Sequence, residues 1–151
     1  MIKITKKLLA GVKLLKCGDA HVTNGHWAIR SDAALADAVA PNWFGAGAGG
    51  VDAGVVERVL TPPSNETLEL LEDTGWRLED EGVMTHLYQV ACHSLTVSID
   101  ARYVPIIEGG TARTTRTSGA IFVFDAAGGV VAAVMPRRRA EDARFGLAPR
   151  D

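Results

Sequence analysis

The chain has 151 residues, 47% of them apolar and 23% charged, with a formal net charge of −2. That length and balance fit one globular domain burying roughly two-thirds of the surface its unfolded form exposes, and they exclude a disordered, solvating chain. The two cysteines, Cys17 and Cys92, are too far apart to form the close pairs of a zinc site or a disulfide framework, and they fit a reducing, cytoplasmic setting.

The charges are segregated. Lys3, Lys6, Lys7, Lys13 and Lys16 precede the first acid, Asp19; the stretch 66–81 holds seven acids and one base, Arg77; and Arg137, Arg138, Arg139, Arg144 and Arg150 enrich the end. Blocks of this kind mark either a molecule with electrostatic sides or ordinary solvated faces. Lys13 and Lys16 break the apolar stretch behind the basic start and no small-residue cleavage site follows, so no secretory leader is expected. The apolar stretch 119–135 is interrupted by Asp125 and by glycines, short of the roughly 20 apolar residues a membrane helix needs.

In chain order, Ile4, Leu8, Val12 and Leu15 recur at helical spacing with Lys3, Lys6, Lys13 and Lys16 opposite, which predicts an amphipathic helix with a lysine face. Residues 21–29 read as extended, with Asn24-Gly25 as a tight turn. The alanine-rich 32–39 predicts a short helix stopped by Pro41, the glycine-rich 41–50 a loop, and 51–60 a strand ended by Pro62-Pro63. Ser64 is placed as an N-cap for a helix carrying Leu68, Leu70 and Leu71 and closed by Gly75, with Glu66 favouring its positive end. The Val-, Thr- and Tyr-rich 83–98 reads as one long strand or a bent pair. Asp100 can cap a short helix over 100–108 with Pro105 in its first turn. Residues 120–124 and 130–135 are apolar runs joined by Asp125-Ala-Ala-Gly-Gly, the clearest hairpin in the chain. The tail beyond Pro136 is polar, and from about residue 140 it is expected to be mobile.

Several motifs admit a catalytic or a plain reading. Gly45, Gly47 and Gly50 match G-x-G-x-x-G by letter, yet Pro41-Asn42-Trp43-Phe44 stands where the strand of a nucleotide site belongs, which favours a loop. His21, His26, His86 and His93 with Cys17 and Cys92 offer ligand types for zinc. Cys92 and His93 are adjacent, however, and neighbours on a strand face opposite ways, so neither a metal nor another cofactor is expected. No serine or cysteine stands in the strained turn of a nucleophile, and Ser94, Ser98 and Ser118 read as strand or loop serines. The lysines at positions 3, 6, 7, 13 and 16 could neutralise DNA phosphates without reading sequence; equally, they could serve only to solubilise a surface helix.

Two segments look like parts of the bacterial DNA polymerase sliding clamp. His21-Val-Thr-Asn-Gly-His26-Trp-Ala-Ile29 resembles the clamp's V-A-T-D-G-H-R-L-A, and Val131-Ala-Ala-Val-Met-Pro-Arg137 resembles its terminal V-V-M-P-M-R-L. Asp100-Ala-Arg-Tyr103-Val is similar to the N-x-x-Y-L that opens the preceding helix. The resemblance implies an α+β domain with two amphipathic helices packed on a curved, mainly antiparallel sheet. It also implies a non-enzymatic role, with Thr23, Gly25, His26, Val134, Met135 and Pro136 near a cleft for short peptides from replication or repair proteins, and Lys3, Lys6, Lys7, Lys13 and Lys16 facing the backbone of double-stranded DNA. A homo-oligomer would follow from the same likeness. The residues alone leave open an unrelated α+β interaction domain, or a small ligand-binding protein or enzyme built on the histidines and the glycine loop.

Overall fold

The computed structural model describes residues 2–4, 15–17, 21–23, 26–30, 34–36, 57–90, 95–116 and 119–140. Their chief feature is an antiparallel sheet. Its strands are β2 (Leu15–Cys17), β3 (His21–Thr23), β4 (Trp27–Arg30), β6 (Glu69–Asp80), β7 (Val83–Val90), β8 (Thr96–Asp100), β9 (Thr111–Thr114), β10 (Ile121–Phe124), β11 (Val130–Val134) and β12 (Arg138–Ala140). They run in the order β12-β8-β7-β6-β9-β10-β11-β4-β3-β2. A separate parallel pair joins β1 (Ile2–Ile4) to β5 (Ala34–Ala36), with Ile2 opposite Ala34. A 3-10 turn over Ala101–Tyr103 and a one-turn helix α1 (Val104–Ile107) follow β8.

The continuous apolar runs at 121–124 and 130–134 exist because both faces of these strands are buried. Ile121 and Val123 of β10, Ala132 and Val134 of β11, and Trp27 and Ile29 of β4 face the main core, which also takes Tyr88, Val97, Ile99, Val104, Ile106 and Ile107. Between them, Phe122, Ala133 and Ala28 turn to the other face, where Leu60 and Leu68 cover them. That cover is held down by Arg30, whose guanidinium makes two bonds of 3.0 Å to the Glu57 carboxylate while its Nε donates to the Val130 carbonyl at 2.7 Å. Burial leaves the Tyr88 hydroxyl reluctant to ionise, its pKa pushed from 10.0 up to about 12.

Several expected elements stand and several do not. The 21–29 stretch holds the antiparallel strands β3 and β4, 83–98 holds β7 and the start of its antiparallel partner β8, and 120–135 is the β10–β11 hairpin. Asp100 caps as anticipated, accepting from the Arg102 backbone N–H at 2.9 Å, with Pro105 in the first turn of α1. The helix expected from Ser64 to Gly75 is instead the start of β6. Its leucines and glutamates suit a helix as well as a strand, and pairing with β7 and β9 decides between them. The cue was the turn after it: Glu81 and Gly82 have φ of 52° and 81°, a two-residue hairpin turn directly between Asp80 and Val83. The strand expected over 51–60 is contradicted at its end, where 57–59 form a helical turn.

The lysine helix is corrected at both ends, since Lys3 lies in β1 and Lys16 in β2. Strand pairing with β5 and β3 supplies the hydrogen bonds a helix would have made internally. Ala34–Ala36, expected in a helix, is β5. The start of the polar tail pairs as β12, Arg138 opposite Ser98. The glycine loop at 41–50, the Asn24-Gly25 turn and the last residues of the tail lie outside the described residues. Among the described residues no helix is long and apolar enough to cross a membrane.

Gly110 marks the tightest approach, because a Cβ there would collide with the Phe124 carbonyl oxygen and press on Val123. Neither strand can retreat without breaking the β9–β10 ladder, in which Phe124 pairs Thr111. Gly110→Ala is expected to destabilise the protein by about 1–3 kcal/mol, read as a lower midpoint in urea unfolding with an unchanged slope.

Candidate functional site

The two segments carrying the clamp resemblance meet. Thr23 of β3 pairs with Ala28 of β4, and its buried hydroxyl donates to the Trp27 carbonyl at 2.6 Å, tying the two strands together. Trp27 pairs in turn with Val134 of β11. One step further the Met135 backbone N–H donates to the His26 carbonyl at 3.0 Å, so the ladder runs to the point where both side chains reach the surface. Met135 is 47% exposed and His26 is exposed, whereas Val134 and Thr23 are buried beneath them and Pro136 is half-buried. Gly25 lies outside the described residues.

Two further side chains adjoin this surface, the buried Tyr103 and the half-buried Arg102. The His26 ring stacks on Tyr103 with centroids 6.4 Å apart and 19° between planes. The Arg102 guanidinium lies 5.8 Å from the centroid of the Tyr103 ring. Arg102 is held by Asp100, whose carboxylate receives its Nε at 3.0 Å and its Nη2 as an ion pair. Burial pushes the Asp100 carboxyl up, but the side-chain and backbone hydrogen bonds from Arg102, with the charges of Arg102 and Arg137, outweigh it and leave the pKa below its ordinary value. Arg102 is held above its own ordinary value by the same contact. Gly119 borders the patch, and a Cβ there would sit 3.2 Å from the Met135 methyl.

Sequence reasoning assigned Asp100 a capping role and noted Tyr103 only as part of a likeness. It gave neither Arg102 nor Tyr103 a place in the site. The available signal was the spacing: a capping Asp that bonds the backbone N–H two residues on has its carboxylate within reach of a long basic side chain at that position.

The arrangement gathers an exposed thioether, a flat imidazole backed by a buried aromatic ring and a pre-positioned cation. An open depression of about 390 Å³ lies elsewhere, lined by Leu68, Thr111, Arg113, Phe124 and Asp125, and holds none of the histidines. His86 sits on β7 opposite Arg77, and burial and the Arg77 charge lower its pKa against the opposing pull of Asp73 and Glu108. Its neighbour Thr85 is committed to the Leu78 carbonyl at 2.7 Å. Among the described residues no three His, Cys, Asp or Glu side chains gather closely enough to hold a metal ion. Cys17 and His21 are cross-strand partners in β2 and β3, and Cys92 and His93 lie outside the described residues. Of the lysines assigned to DNA, Lys3 and Lys16 are on strands, and Lys6, Lys7 and Lys13 lie outside the described residues. No family model, no curated protein and no solved structure matches this chain.

Asp100→Asn should cost about 1–2 kcal/mol at pH 7, since it removes the charge that caps the turn and orients Arg102. The folded pKa of Asp100 lies below its ordinary 3.8. The contribution is therefore present above that value and lost as pH falls through the lower, folded one. Urea unfolding of both proteins at neutral and strongly acidic pH should show a gap in stability that closes in acid.

Proposed function

We propose that this chain is a non-enzymatic, clamp-like binding module that takes short peptides from replication or repair proteins at the surface formed by His26, Met135 and Arg102, with the buried Tyr103 ring behind His26. The observation that carries this reading is the Met135-to-His26 backbone hydrogen bond. It joins, side by side and at the surface, the two segments whose letters resemble the clamp's peptide cleft, although they lie near opposite ends of the chain. A chance likeness of short segments gives no reason for them to become neighbours.

The chemistry suits a peptide. Met135 has three rotatable bonds and a polarisable sulfur, so it can remodel around aliphatic or aromatic anchors. The exposed His26 ring, backed by the buried Tyr103 ring, offers a rigid face that loses little entropy on binding. Arg102, already oriented by Asp100, can meet a carboxylate or backbone carbonyl of the peptide without first being ordered. Val134 and Thr23 support the surface from below, and neither would touch a ligand strongly.

Titration of a fluorescently labelled clamp-binding peptide with the purified protein, read by anisotropy, tests the reading. Saturable binding is expected, weakened at least about tenfold in the His26→Ala, Met135→Ala double variant. A folded protein that does not bind, or a double variant that binds equally well, would remove the peptide function.

A further inference from the structure

The β6–β7 hairpin has features that a peptide surface at His26 and Met135 does not use. From Glu72 to Glu79 every residue of β6 is exposed except half-buried Thr74, although its partner β7 is buried at Thr85, Leu87 and Tyr88. Beyond Leu70, β6 pairs only with β7, which leaves its outer edge without a strand partner among the described residues. Trp76 is 58% exposed on this ribbon and Leu78 36%. They stand two residues apart along the exposed strand.

Trp76 is held outward by its surroundings. The register shifts between Asp73 and Arg77, a bulge in which Gly75 takes a φ of 82°. The Thr74 hydroxyl donates to the Leu87 carbonyl at 2.7 Å and accepts from the Trp76 backbone N–H at 3.1 Å. Arg77 donates to the Trp76 carbonyl at 2.9 Å and grips the Asp73 carboxylate with two bonds of 3.0 Å. Both backbone groups of Trp76 are thus fixed while its indole adds nothing to the core. A locked backbone with an exposed aromatic is the arrangement of a binding anchor, because little freedom is left to lose on association.

The charge around it selects the partner. Asp73 is matched by Arg77, and Asp80 and Glu81 by Arg137 at 3.3 and 3.4 Å. Glu72 and Glu79, exposed on either side of Trp76 along the strand, have no basic partner among the described residues. Phosphate backbones and anionic lipids would be repelled there. We infer that the outer edge of β6 is a docking ridge for a basic protein segment, whose apolar side chains pack on Trp76 and Leu78 while its arginines or lysines meet Glu72 and Glu79. Arginine suits this surface doubly, since it also stacks on indole.

The test uses the full chain and three short labelled probes: alternating leucine and arginine, the same with serine for leucine, and the same with glutamate for arginine. Saturable binding of the leucine–arginine probe is expected, weakening with salt and falling at least about tenfold in the Trp76→Ala, Leu78→Ala variant. The serine and glutamate probes should bind at least about tenfold more weakly. Both substituted residues are exposed, so the variant should keep the parent's unfolding midpoint. The His26→Ala, Met135→Ala protein should bind the probe as the parent does, which separates this ridge from the proposed peptide surface. Equal binding by the Trp76→Ala, Leu78→Ala variant would overturn the inference, as would a serine probe as good as the leucine one. Trp76-dependent self-association without probe binding would also overturn it, assigning the ridge to a second copy of the chain.

Discussion

Strand β6 pairs with β9 through Glu69 and Leu70 and with β7 from Leu71 onward. This one strand therefore carries the hydrogen-bonded ladder between two groups of strands that otherwise share no backbone bonds among the described residues. On one side of it lie β7, β8 and β12; on the other lie β9, β10, β11, β4, β3 and β2. Both groups contribute to one apolar core, Val97 and Ile99 from the first and Ile121, Val123 and Val134 from the second. The turn over Ala101–Tyr103 and α1 deliver Tyr103, Val104, Ile106 and Ile107 into that shared interior. The position of Tyr103 under His26 thus depends on β6 holding the two groups at a fixed relation.

The legible parts of the fold were those where local chemistry and tertiary demand agree. The β10–β11 hairpin shows itself through two apolar runs around Asp125-Ala-Ala-Gly-Gly. In it Asp125 accepts the Gly129 N–H at 2.8 Å, and Gly128 takes a φ of 87° that a side chain would resist. The Asp100 cap with Pro105 behind it was equally readable, because both residues act within one turn of chain. The region 64–75 was not. Leucine and glutamate suit a helix, and only cross-strand partners more than a turn away, such as Val90 for Leu71, make it a strand. The lysine spacing near the start misled for the same reason, since a helical period in the letters does not count the hydrogen bonds a neighbouring strand can offer.

The candidate surface divides along the same line. His26 and Met135 could be named from short motifs, but no local rule sets them side by side; the β4–β11 register does that. Arg102 escaped notice because its importance comes from Asp100, which orients it, and from Tyr103, over which it lies. Trp76 escaped because no element was expected between Gly75 and Val83, and its exposed position is set in a bulge whose hydrogen bonds no local pattern foretells.

The ladder from His26 to Met135 closes a loop of about seven-tenths of the 151-residue chain. Contacts between such distant residues are the slowest to form, because the entropy of the intervening chain must be lost before they return any stability. A partly folded molecule could hold the β10–β11 and β6–β7 hairpins, both local, and still lack the surface made by β4 and β11 together. Formation of that surface is therefore tied to completion of the fold, and a nascent chain would acquire it only after β11 had emerged.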